Sequence, residues 1–312
     1  MSRERIVVLD FGGQYNQLIA RCIREAGVFC ELLPYDSPIE KIQAGNLKGI
    51  VLTGGPDSFA AQNARVCPKE IFSLGVPVLG ICYGMQAMAQ LFGGQVEKAS
   101  LPEFGHTDIH LVDHALFADL PQDTIVWMNH NDLVTVLPQG FISIASSANC
   151  PVAAFADDAR HFYGFQFHPE VKHSIYGKQM LQNFVKNICH CACDWQMDHL
   201  AQELIQGIQK QVGDGTLVVG FSGGVDSSVA TVLAHRALGD RVQCILVDHG
   251  LMRKNESQEI LDYYEGELGI PIQCVYAKDR FLAKLKGITD PEQKRKVIGT
   301  EFIRVFEEEA KK

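Results

Sequence analysis

The segment Ser222–Ser228, of sequence SGGVDSS, constrains the fold of this chain more than any other stretch. It follows an apolar run, Leu217–Phe221, that predicts a buried strand, and it precedes a helical pattern from about Asp226 to Leu238. Glycines and serines at a strand-to-helix turn direct backbone N–H groups to one point, where the helix dipole also favours an anion. No lysine follows the glycines, so this is not the G-x-x-x-x-G-K-S/T loop that binds a γ-phosphate. The segment predicts a phosphate-binding turn in an α/β domain, and a serine-rich helix cap is the simpler alternative.

Composition limits the classes of protein to consider. The 312 residues suffice for two domains, and 46% hydrophobic with 21% charged residues is typical of globular proteins. The net charge of −9 argues against nucleic acid as a partner. The N-terminal residues lack the apolar core of a signal peptide, and no apolar run is long enough to cross a membrane. Ten scattered cysteines indicate a reducing cytoplasm rather than a disulfide scaffold.

Short apolar runs alternate with helical patterns in the first half of the chain. Ile6–Leu9, Gly49–Leu52 and Val76–Gly80 predict buried strands of a parallel sheet with helices on both faces. Between about residues 96 and 168 the runs are shorter and separated by turn residues, which suggests added antiparallel strands. A predicted helix from about Gly177 to Cys189 closes this half.

The second half repeats the alternation on a smaller scale. Val242–Val247 and Ile272–Ala277 continue the strand pattern after the glycine-serine turn. Between the halves, alternating Cys189, Cys191 and Cys193 lack the paired spacing of a zinc knuckle, which favours a linker packed by small apolar thiols. We therefore predict an α/β protein of two domains, each a mostly parallel sheet flanked by helices: residues 1–190, a linker of residues 191–198, and residues 199–312.

Cys82 is the candidate nucleophile. The strand Val76–Gly80 leads directly to it, a helix follows, and Gly80 and Gly84 flank it at minus two and plus two. A nucleophile on a sharp strand-to-helix turn needs such small neighbours, because the backbone there is strained and approaches itself closely. The helix N-terminus also favours the thiolate. Most free cysteines are simply buried in the core, which is the expectation for the others that lie outside the linker: Cys22, Cys30, Cys67, Cys150, Cys244 and Cys274.

His168 and Glu170 are the candidate base and its orienting group. They lie two residues apart in a stretch that we expect to be extended, so that both side chains share a face. A lone His-Pro-Glu is weak evidence, but paired with Cys82 it predicts a cysteine hydrolase. Five other histidines are expected, for the most part, to be surface or locally satisfied groups: His106, His110, His114, His130 and His173.

A glycine turn, Gly54-Gly55-Pro56, follows another predicted strand. Backbone N–H groups in such a turn stabilise a tetrahedral oxyanion when they lie beside a nucleophile. Without Cys82 an ordinary turn would be the better interpretation. With it, the N–H groups of Gly55 and Tyr83 are the expected donors.

Together, the motifs around Cys82, Gly55 and His168 resemble those of the class I glutamine amidotransferases, and SGGVDSS resembles the pyrophosphate loop of the N-type ATP pyrophosphatases. The resemblance implies that Cys82 attacks the side-chain amide of glutamine, that His168 shuttles the proton and that Glu170 holds His168. It also implies that four side chains hold the substrate glutamine: Gln86, Asn129, Asn131 and Asp132.

Over the whole chain, the order of motifs resembles the bifunctional amidotransferases that aminate xanthosine monophosphate to GMP, releasing AMP and pyrophosphate from ATP. Asp226 would lie near Mg²⁺, whose preference for carboxylate and phosphate oxygens suits that position. Full-length members of this family are expected to be homodimers. The resemblance implies the following ATP-binding residues: Ser222, Gly223, Gly224, Val225, Asp226, Ser227, Ser228 and Val247.

The chain departs from this family at His249 and Asn131, and in its length. The family continues through the rest of the pyrophosphatase domain into a C-terminal dimerisation domain, so the sequence is expected to be truncated. The alternatives are a chain that keeps only glutaminase activity, a glutaminase that supplies ammonia to another acceptor, and a non-catalytic fragment with a binding role.

Overall fold

The computed structural model describes residues 3–56, 65–196 and 198–311, so position 197 of the predicted linker lies outside the described residues. The chain divides into two compact units, Met1–Gln196 and Met197–Lys312. In the described part of the chain, no helix combines the length and the apolar character needed to cross a membrane.

One nine-stranded sheet forms the first unit. Its strands are, in chain order, β1 (Glu4–Asp10), β2 (Phe29–Pro34), β3 (Asn46–Leu52), β4 (Val78–Ile81), β5 (Gln95–Leu111), β6 (Asp123–Val136), β7 (Ile142–Ser147), β8 (Ala154–Asp157) and β9 (Phe162–Phe165). The helices of this unit are α1 (Asn16–Glu25), α2 (Ile39–Ile42), α3 (Tyr83–Leu91) and α4 (Gly177–Asn183), which a π-helical turn continues (Phe184–Ile188), with 3₁₀ turns at Lys69–Ser73 and Ala115–Phe117.

The strand order is β2-β1-β3-β4-β9-β8-β7-β5-β6. The first five strands of this order are parallel, and the remaining pairs are antiparallel. This confirms the predicted parallel sheet with added antiparallel strands. The prediction of shorter runs between residues 96 and 168 is wrong for β6, which has 14 residues, and for β5, which has 17. Its pairing with β6 shifts register between Lys98 and Glu103, next to Pro102, and this break hides the strand in the sequence pattern.

Alternation along β1 explains why its sequence is apolar without interruption. Ile6 and Val8 pack into one core, and Val7 and Leu9 into another on the opposite face. Both faces of the parallel part are therefore covered, as expected for a sheet with helices on each side. The consequence for function is that polar side chains are left for the loops at the strand ends.

The end of the first unit is packed rather than extended. Cys189 and Cys191 are buried in the core of the unit, and the backbone N–H of Trp195 donates to the carbonyl of Gly27 at 2.8 Å. The N–H of Ala192 donates to the Glu4 carboxylate. Burial raises the pKa of the Cys191 thiol to about 12, which fits the interpretation of these thiols as packing groups.

The second unit has a three-stranded parallel sheet, β10-β11-β12. The strands are β10 (Leu217–Phe221), β11 (Val242–Asp248) and β12 (Ile272–Tyr276), and the helices are α5 (Asp198–Val212), α6 (Val225–Leu238), α7 (Glu256–Leu261), α8 (Lys278–Leu285) and α9 (Pro291–Glu309), with a 3₁₀ turn at Gly239–Arg241 and a π-helical turn at Asp262–Glu267. Alternate residues of β11 enter separate cores, Leu246 on one face and Val247 on the other. The three strands predicted for this unit are confirmed within one residue.

Candidate active site

A pocket of about 150 Å³ lies at the carboxyl edge of the parallel strands in the first unit. The loops that follow β1, β3, β4 and β9 all contribute to it, because the carboxyl ends of parallel strands meet at one edge of the sheet. Its lining residues are Gly12, Gly13, Gln14, Tyr15, Asn16, Gly54, Gly55, Pro56, Cys82, Asn129, His168 and Glu170.

Cys82 occupies the sharp turn between β4 and α3. Its backbone has φ 50° and ψ −106°, a conformation that residues other than glycine rarely adopt. A Cβ on Gly80 would lie 2.5 Å from the carbonyl carbon of Gly84, and a Cβ on Gly84 would lie 2.4 Å from the carbonyl oxygen of Leu52. The turn therefore requires glycine on both sides of Cys82, which is the constraint that the sequence spacing predicts.

His168 and Glu170 form a buried pair, with Nδ1 of His168 2.7 Å from Oε1 of Glu170. The expectation that an extended strand aligns them is wrong, because β9 ends at Phe165 and both residues lie in the loop beyond it. Hydrogen bonds to the backbone of His168, from β6 and from the following loop, hold this segment instead. The N–H of His168 donates to the carbonyl of Trp127 at 3.0 Å, and Ser174 Oγ donates to the carbonyl of His168 at 2.6 Å.

The pKa of His168 is raised to about 10. Burial acts in the opposite direction, since it disfavours the imidazolium, but hydrogen bonds and charges from Cys82 and Glu170 outweigh it. The ring of Tyr15 stands edge-on to His168, with ring centroids 5.3 Å apart. A thiol, an imidazole and a carboxylate thus lie next to one another, in that order, at one side of the pocket. This is the arrangement that activates a cysteine nucleophile.

The glycine turn after β3 lies against the same groups. A Cβ on Gly54 would be 3.8 Å from Cβ of Cys82 and 3.3 Å from Cε1 of His168. A Cβ on Gly55 would be 3.2 Å from the Tyr83 ring. The two predicted oxyanion donors, Gly55 and Tyr83, therefore belong to segments that meet beside the sulfur.

The predicted glutamine-binding residues are divided between the pocket and the core. Asn129 lines the pocket, and its carbonyl oxygen lies 3.8 Å from Sγ of Cys82. Asn131 is exposed on the same side of β6, whereas the side chains of Asp132 and Gln86 are buried. Gln86, Asn131 and Asp132 are not among the residues that line the pocket in the described structure.

Sequence reasoning missed the contact of Gln166 with the nucleophile and the burial of His130. Gln166 is fully buried, and its Nε2 donates to Sγ of Cys82 at 3.7 Å. Its position two residues before His168 is the signal that was available. His130, expected to be a surface or locally satisfied group, is buried with Nε2 3.3 Å from Glu103, and burial lowers its pKa.

In the second unit, Ser222–Ser228 forms the turn between β10 and α6, as predicted. Gly223 has φ +76°, and the hydroxyls of Ser222 and Ser227 lie 3.0 Å apart. The N–H of Ser222 donates to Ser227 Oγ at 3.3 Å, which closes the turn around its own serines. Asp226 is exposed in the first turn of α6. A helix of 14 residues starts at Val225 in this turn, and the N-terminus of such a helix suits an anion.

A second pocket, of about 310 Å³, lies beyond the carboxyl ends of β11 and β12 and includes Asp248, Gly250, Tyr276 and Lys278. A hydrogen bond from Ser257 holds the pKa of Asp248 below its ordinary value. Val247, a predicted nucleotide-binding residue, has a side chain that is 2% exposed and packs in the core.

Two family models match the chain, one in each unit. The model for glutamine amidotransferase class-I matches residues 7–188, which include the thiol, the imidazole and the carboxylate of the pocket. The chain belongs to the class-I glutamine amidotransferase family. The second model, NAD synthase, matches residues 197–298, which include the glycine-serine turn.

Curated relatives of this class-I amidotransferase chain align over its whole length. GMP synthase (glutamine-hydrolyzing) of Geobacillus kaustophilus is 53% identical over 313 residues, covering 100% of this chain. The protein of the same name from Acetivibrio thermocellus is 51% identical over the same length. The chain spans 61% of the length of each of these two relatives.

Solved structures resemble the amidotransferase unit. A structure from Thermoplasma acidophilum, described as a GMP synthase subunit, is 38% identical with a TM-score of 0.52, covering 60% of this chain and 94% of that one. A glutamine amidotransferase from Thermotoga maritima has a TM-score of 0.50 at 18% identity, covering 61% of this chain and 99% of that one, and it shows the fold alone.

Proposed function

We propose that the first unit hydrolyses glutamine with Cys82 as the nucleophile, His168 as the proton carrier and Glu170 as the group that orients His168. The observation that carries the proposal is the pocket in which the Cys82 thiol meets His168, whose Nδ1 is 2.7 Å from Glu170. The raised pKa of His168 favours an imidazolium paired with a thiolate.

The reaction follows from these groups. The thiolate of Cys82 attacks the amide carbon of the glutamine side chain, and the carbonyl electrons move to its oxygen. His168 then gives its proton to the departing nitrogen, so that ammonia leaves and a glutamyl thioester remains. Water, deprotonated by His168, hydrolyses the thioester to glutamate and restores the thiol. The N–H groups of Gly55 and Tyr83 would stabilise the oxyanion in both steps.

The same proposal assigns the substrate contacts. Asn129 is the best-placed of the four predicted glutamine-binding residues, because it lines the pocket beside Sγ. Asn131 shares its side of β6 and would meet the outer part of the substrate. Gln86 and Asp132 would act through backbone or packing, since both side chains are buried.

For the second unit we propose ATP binding by the turn Ser222–Ser228. A helix N-terminus after a glycine-rich turn suits pyrophosphate oxygens, and the pocket around Asp248 and Lys278 has space for the nucleoside. Asp226 fits Mg²⁺, because it is an exposed carboxylate in the turn where the phosphates would bind. When bound, Mg²⁺ would neutralise phosphate charge during adenylyl transfer.

Combined, the two units would serve glutamine-dependent amination of xanthosine monophosphate to GMP, with ATP giving AMP and pyrophosphate. The names of the relatives and their identity over the whole chain support this proposal. Ten free cysteines suit a reducing compartment, so we propose the cytoplasm, with a homodimer as the assembly.

The test of the glutaminase is glutamate release from glutamine by the unchanged chain, by Cys82→Ala and by Cys274→Ala. Loss in Cys82→Ala with retention in Cys274→Ala, a half-buried cysteine of the second unit, supports the proposal. Equal activity in all three proteins would refute it.

The amination is tested separately with ammonium, xanthosine monophosphate, ATP and Mg²⁺, which bypasses Cys82. GMP formation by Cys82→Ala at the rate of the unchanged chain is the expected result. Absence of AMP and GMP from both proteins would restrict the function of residues 1–312 to glutamine hydrolysis.

A further inference from the structure

Two buried side-chain amides form a hydrogen-bonded chain beneath the turn at Cys82. Nε2 of Gln86 donates to the carbonyl oxygen of Asp132 at 2.8 Å and to Oε1 of Gln166 at 3.1 Å. Nε2 of Gln166 then donates to Sγ of Cys82 at 3.7 Å. Gln86 is 4% exposed and Gln166 is fully buried, so the amides are shielded from bulk water.

Gln86 fixes the donor-to-acceptor direction of this series of hydrogen bonds. A backbone carbonyl can only accept, so Gln86 must turn its NH₂ group towards Asp132. The same NH₂ group reaches Gln166, whose facing atom must therefore be the oxygen. Gln166 is left with its NH₂ group directed at the sulfur of Cys82. No other assignment of the amide atoms satisfies all three contacts.

The hydrogen bond from Gln166 affects the charge state of the Cys82 sulfur. A hydrogen bond donated to an ionisable group favours its charged form when that form is the anion. The carbonyl of Asn129, 3.8 Å from Sγ, accepts from the thiol and so favours the neutral form. Gln166 opposes this carbonyl, and it does so whether or not His168 has given up its proton.

We propose that Gln166, held in one orientation by Gln86 and the carbonyl of Asp132, is a positioning residue that keeps Cys82 aligned and favours its thiolate before glutamine binds. This inference rests on the proposed role of Cys82 as the nucleophile. It adds a donor to the sulfur from a residue that does not line the pocket.

The experiment measures the alkylation rate of Cys82 by iodoacetamide as a function of pH, without glutamine. Gln166→Met keeps an unbranched side chain of similar length and removes the donor. We expect its pH midpoint to rise by about one unit, since a hydrogen bond to a charged group is worth roughly that much. Gln86→Met does not touch the sulfur but frees Gln166 to turn, and we expect a smaller rise.

Gln90→Met, an exposed position one turn further along α3, is the matched control and should keep the midpoint of the unchanged chain. A folded Gln166→Met protein with an unchanged midpoint would overturn the proposal, even if its activity fell, because a purely structural role changes rates without moving the midpoint. Failure of the proposed function is distinguishable, since it would appear as glutaminase activity that survives in Cys82→Ala.

Discussion

Nδ1 of His168 lies 2.7 Å from Oε1 of Glu170 although neither residue belongs to a strand. The backbone of His168 is held by two hydrogen bonds, one from its N–H to the Trp127 carbonyl in β6 and one from Ser174 to its own carbonyl. The carboxylate fixes which ring nitrogen faces it, and the other nitrogen is left for the thiol of Cys82. The charge state of His168 is therefore the first quantity to test.

We expect the pKa of His168 to fall in Cys82→Ala. Cys82 contributes both a hydrogen bond and a charge that raise it, whereas burial, which lowers it, remains. Titration of the imidazole by NMR should give about 10 in the unchanged chain and a lower value in the variant. Equal values in both proteins would mean that the thiol and the imidazole are not coupled.

The same pKa predicts a pH dependence of stability. Because the folded-state pKa of His168 is raised above the ordinary 6.5, its contribution to stability is complete below pH 6.5 and is lost as the pH rises through about 10. The free energy of unfolding, measured in urea from pH 6 to 10.5, should decline over this window in the unchanged chain. The decline should be smaller in Cys82→Ala, and identical curves would contradict the assignment.

Thiol labelling should separate Cys82 from the core cysteines. Burial raises the pKa of Cys30, Cys67 and Cys150 to about 12, so these thiols stay neutral and shielded at pH 7.5. Cys82 lines the pocket at a helix N-terminus. Brief iodoacetamide treatment followed by peptide mass spectrometry should find Cys82 labelled first, with all ten cysteines labelled after denaturation. Labelling of Cys67 as fast as Cys82 would be the contrary result.

Substitution of Gly84 should destabilise the first unit. Its Cβ would lie 2.4 Å from the backbone oxygen of Leu52, and such overpacking costs about 1–3 kcal/mol. Gly84→Ala should therefore lower the unfolding midpoint. Gly207→Ala is the opposite case, because Gly207 is exposed in α5 with nothing within 4 Å of its added Cβ, and helix propensity favours alanine by about 1 kcal/mol. Calorimetry that gave both changes the same sign would refute the close-packing argument.

Two adjacent glycines test the phosphate turn. Gly223 has φ +76° and its added Cβ would lie 2.5 Å from Ile260, whereas the nearest atom to a Cβ on Gly224 is 3.5 Å away. Gly223→Ala should weaken ATP binding at least about fivefold more than Gly224→Ala, since a strained backbone costs about 1–3 kcal/mol. Isothermal titration with ATP and Mg²⁺ measures both. Equal affinities would show that the turn's left-handed residue does not shape the ATP site.

The sequence was sufficient for six of the twelve described strands, β1, β3, β4, β10, β11 and β12, and for the sharp turn at Cys82. Ile6–Leu9 and Gly49–Leu52 are short, uninterrupted apolar runs, which are typical of strands in a sheet covered on both faces. It was insufficient for β5, where Pro102 and a register shift break the alternation, and for His130, whose burial depends on a long-range contact with Glu103.

Local chemistry therefore determined, from the sequence alone, which residue types carry the site: a cysteine between glycines, a histidine with a nearby carboxylate, and a glycine-serine turn before a helix. Only the tertiary structure decided what each side chain faces. Gln166 donates to Sγ of Cys82. The side chains of Gln86, Asp132 and Val247 are buried. The physical reason is that backbone turns depend on neighbours in the chain, whereas burial and hydrogen-bond partners depend on segments that only the folded sheet brings together.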